Sequence, residues 1–347
     1  MTIARKLQIN LNITPYYHCV ERCVRRSFLC GKDKQTGKSF EHRRSWILDR
    51  VRLLASAFCI DVAAYAIMSN HYHLVLHINQ AEVDGLTEAE IAARWKLVFV
   101  GSKAVDRYLD GNQQVKEIAQ ATLDTWRKRL SNISWFMKCL NEHIAHKANK
   151  EDGCTGHFWE GRFKSQPLLD EKALLAAMVY VDLNPIRAQM AKTVPDSIFT
   201  SAYERIHGCS FPGDNYYSSG NQERTNAYTE PHQRSLKPLM NFITPEDNTN
   251  QYNFYRTGTL PVTYLAYMDL LDWSSRIVKE GKKGAVDESV PPLLEALDFD
   301  HSQWHSVCTE LGQAHGALGS SANREKFHRS RGSTRIPRMP RSTKLFG

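Results

Sequence analysis

The sequence has no run of about 18 apolar residues, so it offers no membrane-spanning helix. Its first residues, Met1-Thr2-Ile3-Ala4-Arg5-Lys6, lack the apolar stretch of a secretion signal, and a cytoplasmic location is the default expectation. No Cys-x-x-Cys pair occurs among the eight cysteines. In a cytoplasmic protein the scattered thiols are expected to be reduced and buried as small hydrophobes. Cys19, Cys23 and Cys30 come nearest to a structural zinc set, but the residues flanking them read as strand, which makes zinc the lesser expectation. The body of the chain also lacks a strong excess of either charge. Residues 324–347 hold eight Lys or Arg against Glu325 alone, which accounts for +7 of the net +8. A nucleic-acid surface on the body must therefore be local.

What is present suits a folded protein with a sizeable core: 42% hydrophobic and 24% charged residues in a chain of 347. Tyr16–Val24 is aromatic and β-branched and reads as a strand. Residues 41–58 read as a helix, with Ile47, Leu48, Val51, Leu54, Ala55 and Phe58 on one stripe and Arg43, Arg44, Arg50 and Arg52 off it. Val62–Met68 and His73–Ile78 read as strands joined by a tight turn at Ser69-Asn70. This β-α-β-β order predicts an α+β fold: a ferredoxin-like antiparallel sheet with helices on one face. Residues 81–131 look like a helical insertion, opened by the capping box Thr87-Glu88-Ala89-Glu90. A second amphipathic helix is expected over 133–149, and a third from Glu171 to Asn184, limited by Pro185. The expected organisation is a core over 1–208, a linker or loosely ordered stretch over 209–260, a helical C-terminal domain over 261–320 and a basic tail over 321–347.

Candidate chemistry begins at His71-Tyr72-His73. Alternate strand residues share a face, so the two imidazoles leave together and Tyr72 leaves on the other side. His77 has the same parity but lies about 13 Å from His73 at strand rise, too far to share a ligand. Tyr180 and Asn184 are i and i+4 on one helix face. If that face meets the histidines, His71, His73 and the Asn184 amide oxygen form three ligands of an open divalent site, suited to Mg2+ or Mn2+ rather than to closed structural zinc. Tyr180 then stands as a nucleophile toward a phosphodiester, giving a phosphotyrosine and a free 3′-hydroxyl. Arg22 and Arg25 at the end of the first strand, and Arg162 and Lys164 within His157-Phe158-Trp159-Glu160-Gly161-Arg162-Phe163-Lys164, are candidate backbone-phosphate contacts. The same aromatic segment reads equally as a core strand with two snorkelling cations. Taken alone, a His-x-His strand pair is more often structural, and a tyrosine on an apolar helix is more often core.

In order, Met68-Ser-Asn-His71-Tyr-His73-Leu-Val-Leu, His157-Phe-Trp-Glu-Gly-Arg-Phe-Lys-Ser165 and Tyr180-Val-Asp-Leu-Asn184-Pro-Ile-Arg-Ala188 resemble the single-tyrosine HUH transposases, in particular their REP-associated (RAYT) branch. The resemblance spans about residues 10–205. It implies an HUH nuclease core that cleaves single-stranded DNA beside hairpins, with His71 and His73 as the histidine pair, Asn184 as third ligand and Tyr180 as nucleophile. Partners would be hairpin-bearing single-stranded DNA. A monomer and a homodimer with exchanged tyrosine helices both stay open. The alternative is a catalytically silent protein that binds hairpin DNA or RNA. A blander one is an α+β protein with satisfied core histidines.

Overall fold

The apolar and β-branched segments form β1 (Tyr16–Arg22), β2 (Ile60–Ile67), β3 (His71–Ile78) and β4 (Lys164–Leu168). Between β1 and β2 lies α1 (Arg43–Ala57). Between β3 and β4 lie α2 (Gln80–Gly85), α3 (Glu88–Lys96), α4 (Lys103–Leu109), α5 (Lys116–Leu130) and α6 (Ile133–Glu151). After β4 come α7 (Glu171–Asp182), α8 (Asn184–Arg187), α9 (Ser201–His207), α10 (Tyr264–Glu280), α11 (Pro292–Ala296), α12 (His301–Glu310) and α13 (Ser321–Ser330). This computed structural model describes residues 8–24, 29–33, 36–208, 237–244, 246, 254, 258–280, 291–332 and 345–346.

The four strands pair antiparallel in the order β2-β3-β1-β4. With α1 and α6 as crossovers, this is the β-α-β-β-α-β arrangement expected from the sequence. One expectation fails: helices cover both faces of the sheet, not one. On the first face, Tyr17 and Cys19 of β1 and Tyr72, Leu74 and Leu76 of β3 pack against the apolar stripes of α1 and α6. On the second, Tyr16, Ala64, Ala66, Val75 and Leu168 pack against α7, α10 and α12. The reason lies in β2, which is buried at all eight positions and has no polar face to turn to water. Ala64 and Ala66 on the sheet and Ala173, Ala176 and Ala177 on α7 are small enough to let the helix approach closely.

The C-terminal helices are consequently not a separate domain, as the sequence had suggested. Tyr267 and Leu270 of α10 and Trp304 and Val307 of α12 belong to the same core as α7. Tyr267 donates to the buried Asp182 carboxylate at 2.6 Å, and the Ala202 amide donates to it at 2.9 Å. The insertion is packed as well. Thr87 and Glu90 form the expected capping box, and Trp95 stacks on Trp126 at 5.0 Å between ring centroids. The basic tail is also corrected in part: residues 321–330 form α13, with Phe327 in a small cluster with Ile13, Leu169 and Ala317. Most of the expected linker, 209–236 in particular, lies outside the described residues.

Candidate functional site

Strand register assembles the site. Arg22 of β1 lies opposite His71, and Val20 lies opposite both His73 and Lys164. His18 lies opposite Gln166 on β4. Directly opposed residues point to one face, so the histidines share theirs with His18, Gln166, Arg22 and Lys164. That is the face α7 covers. The turn before His71 is held from two sides, because Asn70 O accepts from the Cys23 amide at 3.0 Å and Ser69 O from the Cys30 amide at 2.9 Å.

His71, His73, Tyr180 and Asn184 meet in space. The His71 and His73 rings stand edge-on at 4.8 Å between centroids, and Tyr180 is edge-on to His73 at 5.7 Å. Asn184 Nδ2 lies 3.3 Å from His73 Nε2. His73 and Asn184 are buried, whereas His71 and Tyr180 are half-buried. Tyr180 stands on the last full turn of α7. Asp170 caps the other end of that helix by accepting from the Ala173 amide at 2.9 Å.

Two side chains that sequence reasoning missed fix the state of His73. Gln166 Nε2 donates to Ala314 O at 2.7 Å, which turns its Oε1 toward His18 Nδ1 at 3.1 Å. His18 Nδ1 must then donate, so its Nε2 is the acceptor facing His73 Nδ1 at 2.9 Å. His73 Nδ1 therefore carries the proton and its Nε2 keeps a lone pair. Burial pushes His18 and His71 down to about 4, and burial with the neighbouring imidazoles and Arg22 and Arg187 pushes His73 well below its usual value. All three rings are neutral near pH 7. His18 carries a strand parity visible in the sequence, but its partner depends on register, which the sequence does not give.

The donor set fits a divalent cation. His71 Nδ1 is engaged by Asn70 Oδ1 at 2.6 Å, leaving its Nε2. His73 offers a bare Nε2, and rotating the Asn184 amide exchanges Nδ2 for Oδ1 at the same place. Two neutral imidazole nitrogens and one amide oxygen result. Among the described residues no group of three or more His, Cys, Asp or Glu is placed to hold a metal, so the amide is essential to any such site. Cys19, Cys23 and Cys30 are buried, and burial pushes the Cys30 thiol up to about 12.

The remaining predicted residues divide. Arg22, Arg162 and Lys164 are exposed, and Arg22 and Lys164 flank the histidine face. Arg25 lies outside the described residues. Phe158 and Phe163 are core, so this segment is a packed strand edge with exposed cations and does not present those two rings for stacking. Tyr72 is fully buried on the opposite face, where its hydroxyl donates to Asn141 Oδ1. His77 binds Asp61 Oδ2 at 2.9 Å, away from His73. A short turn of the C-terminal region, Leu311–Gln313, lies against Tyr180; a Cβ on Gly312 would sit 3.1 Å from Tyr180 Cζ and closer still to the hydroxyl.

The chain is similar to a solved REP-associated tyrosine transposase. That structure, bound to a REP hairpin, is 12% identical and matches 66% of this chain and 94% of its own, with a TM-score of 0.36. A likeness this shallow decides nothing about activity. No protein-family model and no curated protein matches the chain.

Proposed function

We propose that the chain is a metal-dependent endonuclease and strand transferase for single-stranded DNA at hairpin repeats, built on an HUH nuclease core, with Tyr180 as nucleophile. The observation that carries this is the convergence, within one chain, of a tyrosine with two neutral histidines and an amide. Mg2+ or Mn2+ held by His71, His73 and Asn184 would supply Lewis-acid polarisation of the phosphodiester. Tyr180 Oη attacks phosphorus; the Oη–P bond forms, the P–O3′ bond breaks, and the departing 3′ oxygen takes up a proton as the phenol gives one to solvent. The product is a 5′-phosphotyrosine and a free 3′-hydroxyl, ready for rejoining. Arg22, Arg162 and Lys164 bind the backbone on either side, as fixed cations do. Arg25, three residues after Arg22 in the sequence, adds a further cation to this proposed set.

Tyr180→Phe is expected to abolish the covalent adduct seen on a denaturing gel after incubation with labelled hairpin DNA and Mn2+, while hairpin binding persists. Adducts formed by the variant would remove Tyr180 from the role. EDTA is expected to stop cleavage, and cleavage unchanged by EDTA would remove the metal.

The Gly312 turn resting on the Tyr180 hydroxyl favours one second reading: a protein that binds hairpins without turnover. Absence of any adduct in the unmodified chain, with hairpin binding intact, selects it.

A further inference from the structure

Arg187 is the last residue of α8, seven residues beyond Tyr180. Its guanidinium carbon lies 4.7 Å from the centre of the Tyr180 ring. Its Nε and Nη2 are buried and have no hydrogen-bond partner among the described residues. Among the described residues, the ionisable groups that act on it are Tyr180 and Cys308, and no carboxylate is among them. Burial pushes the Cys308 thiol up to about 12, so it supplies no negative charge at neutral pH. The two most deeply buried arginines differ in having carboxylate partners. Arg43 is paired with Glu151 at 2.7 Å and with Asp152, and Arg44 is paired with Glu41 at 2.5 Å and with Ile67 O.

A buried cation without a counter-ion is costly, and unmade hydrogen bonds add to the cost. The two idle donors, moreover, form one edge of the guanidinium: Nε–H and an Nη2–H run parallel. That edge matches two oxygens of one phosphate. Arg187 thus places a fixed positive charge against the ring of Tyr180.

We propose that the Nε/Nη2 edge of Arg187 is a phosphate-binding fork that takes the non-bridging oxygens of the phosphodiester facing Tyr180. The identity of the anion rests on the endonuclease reading, whereas the anion site itself does not. Held there, the phosphate lies beside the nucleophile, and the negative charge that develops on its equatorial oxygens during attack meets a preorganised cation.

Inorganic phosphate is the probe. Thermal melting of the full chain is followed in phosphate and in potassium chloride of equal ionic strength, for the unmodified protein, Arg187→Gln and Arg187→Lys. Phosphate is expected to raise the melting temperature of the unmodified protein above its value in chloride, as a ligand of the native state does. Arg187→Gln should lose this phosphate-specific rise, bind phosphate at least about tenfold more weakly, and melt in chloride no lower than the unmodified protein. Arg187→Lys keeps the charge without the fork and should fall between the two. Generalised attraction to a chain of net charge +8 would survive the loss of one charge almost intact. An equal phosphate response in Arg187→Gln, or no response in the unmodified protein, overturns the fork. So does a lower melting temperature of Arg187→Gln in chloride, which would mark Arg187 as a packing residue. If Arg187→Gln does not fold, the Arg187 Nε–H signal of the unmodified protein is followed by NMR during phosphate titration, and an unmoved signal overturns the fork. An Arg187-dependent phosphate response without any tyrosine adduct would retain the fork and sink the endonuclease. Adducts without that response would do the reverse.

Discussion

Two tyrosines near one histidine pair have opposite fates because strand side chains alternate. Tyr72 points into the α1/α6 core and hands its hydroxyl hydrogen to Asn141, whose Nδ2 in turn donates to Glu21 at 2.6 Å. Tyr72→Phe leaves an acceptor short of a partner and is expected to cost about 1–2 kcal/mol in denaturant unfolding, with adduct formation retained. Loss of adducts in a folded Tyr72→Phe would show that Tyr180 is not sufficient. His18 acts through His73: its Nε2 holds the proton of His73 on Nδ1. His18→Phe removes that acceptor and frees the tautomer. Mn2+ affinity followed by electron paramagnetic resonance should fall at least about tenfold, the range found when the outer partner of a metal-bound histidine is removed. The 15N shifts of the His73 ring should report the tautomer change directly.

At the scale of elements, α7 is clamped between the sheet and the C-terminal region. The turn Leu311–Gln313 fits against Tyr180 only because position 312 has no Cβ. Gly312→Ala is expected to destabilise the fold by about 1–3 kcal/mol through overpacking. In a Tyr180→Ala background the same change should cost markedly less, and a double-mutant cycle in denaturant measures the difference. Additive costs would show that the turn and the tyrosine do not press on each other. The first face has its own clamp, which periodicity misplaces. Arg43 lies off the apolar stripe of α1 yet is only 1% exposed, because it reaches Glu151 and Asp152 at the far end of α6. A hydropathy pattern assigns such a charge to solvent; only the neighbouring helix end explains its burial.

Across the whole molecule, a segment far along the chain closes the β2 edge. Met240 donates its amide to Val62 O at 2.9 Å. Lys237 Nζ reaches Asp61 Oδ1 at 2.6 Å and Glu82 Oε2 at 2.7 Å. Burial alone would raise the Asp61 pKa, but the hydrogen bond from His77 and the charge of Lys237 outweigh it and hold the carboxyl below its ordinary value. Its stabilisation is thus complete above the unfolded value, near 3.8, and is lost as pH falls through the lower native value. For Lys237, burial would lower the pKa, but Asp61 and Glu82 raise it above 10.5, so its share persists at neutral pH and is lost as pH rises through the native value. Lys237→Met should therefore melt lower than the unmodified protein at pH 7, and the gap should narrow below about pH 4 as Asp61 takes up its proton. A gap unchanged between pH 7 and pH 3 would show that this pairing does not hold the segment.

The sequence by itself determined the strands and main helices, since their periods of 2 and 3.6 are local properties of the chain. It also determined that His71 and His73 share a face and that Tyr180 and Asn184 share another, since both follow from backbone geometry alone. Whether those two faces meet was beyond it, as were His18, Gln166 and the isolated Arg187. Those depend on strand register and on which helix covers which side of the sheet. Local periodicity is the same for any pairing of faces, so only the tertiary structure, where burial on both sides of β2 and β3 draws α7 and the C-terminal helices onto the histidine face, decided them.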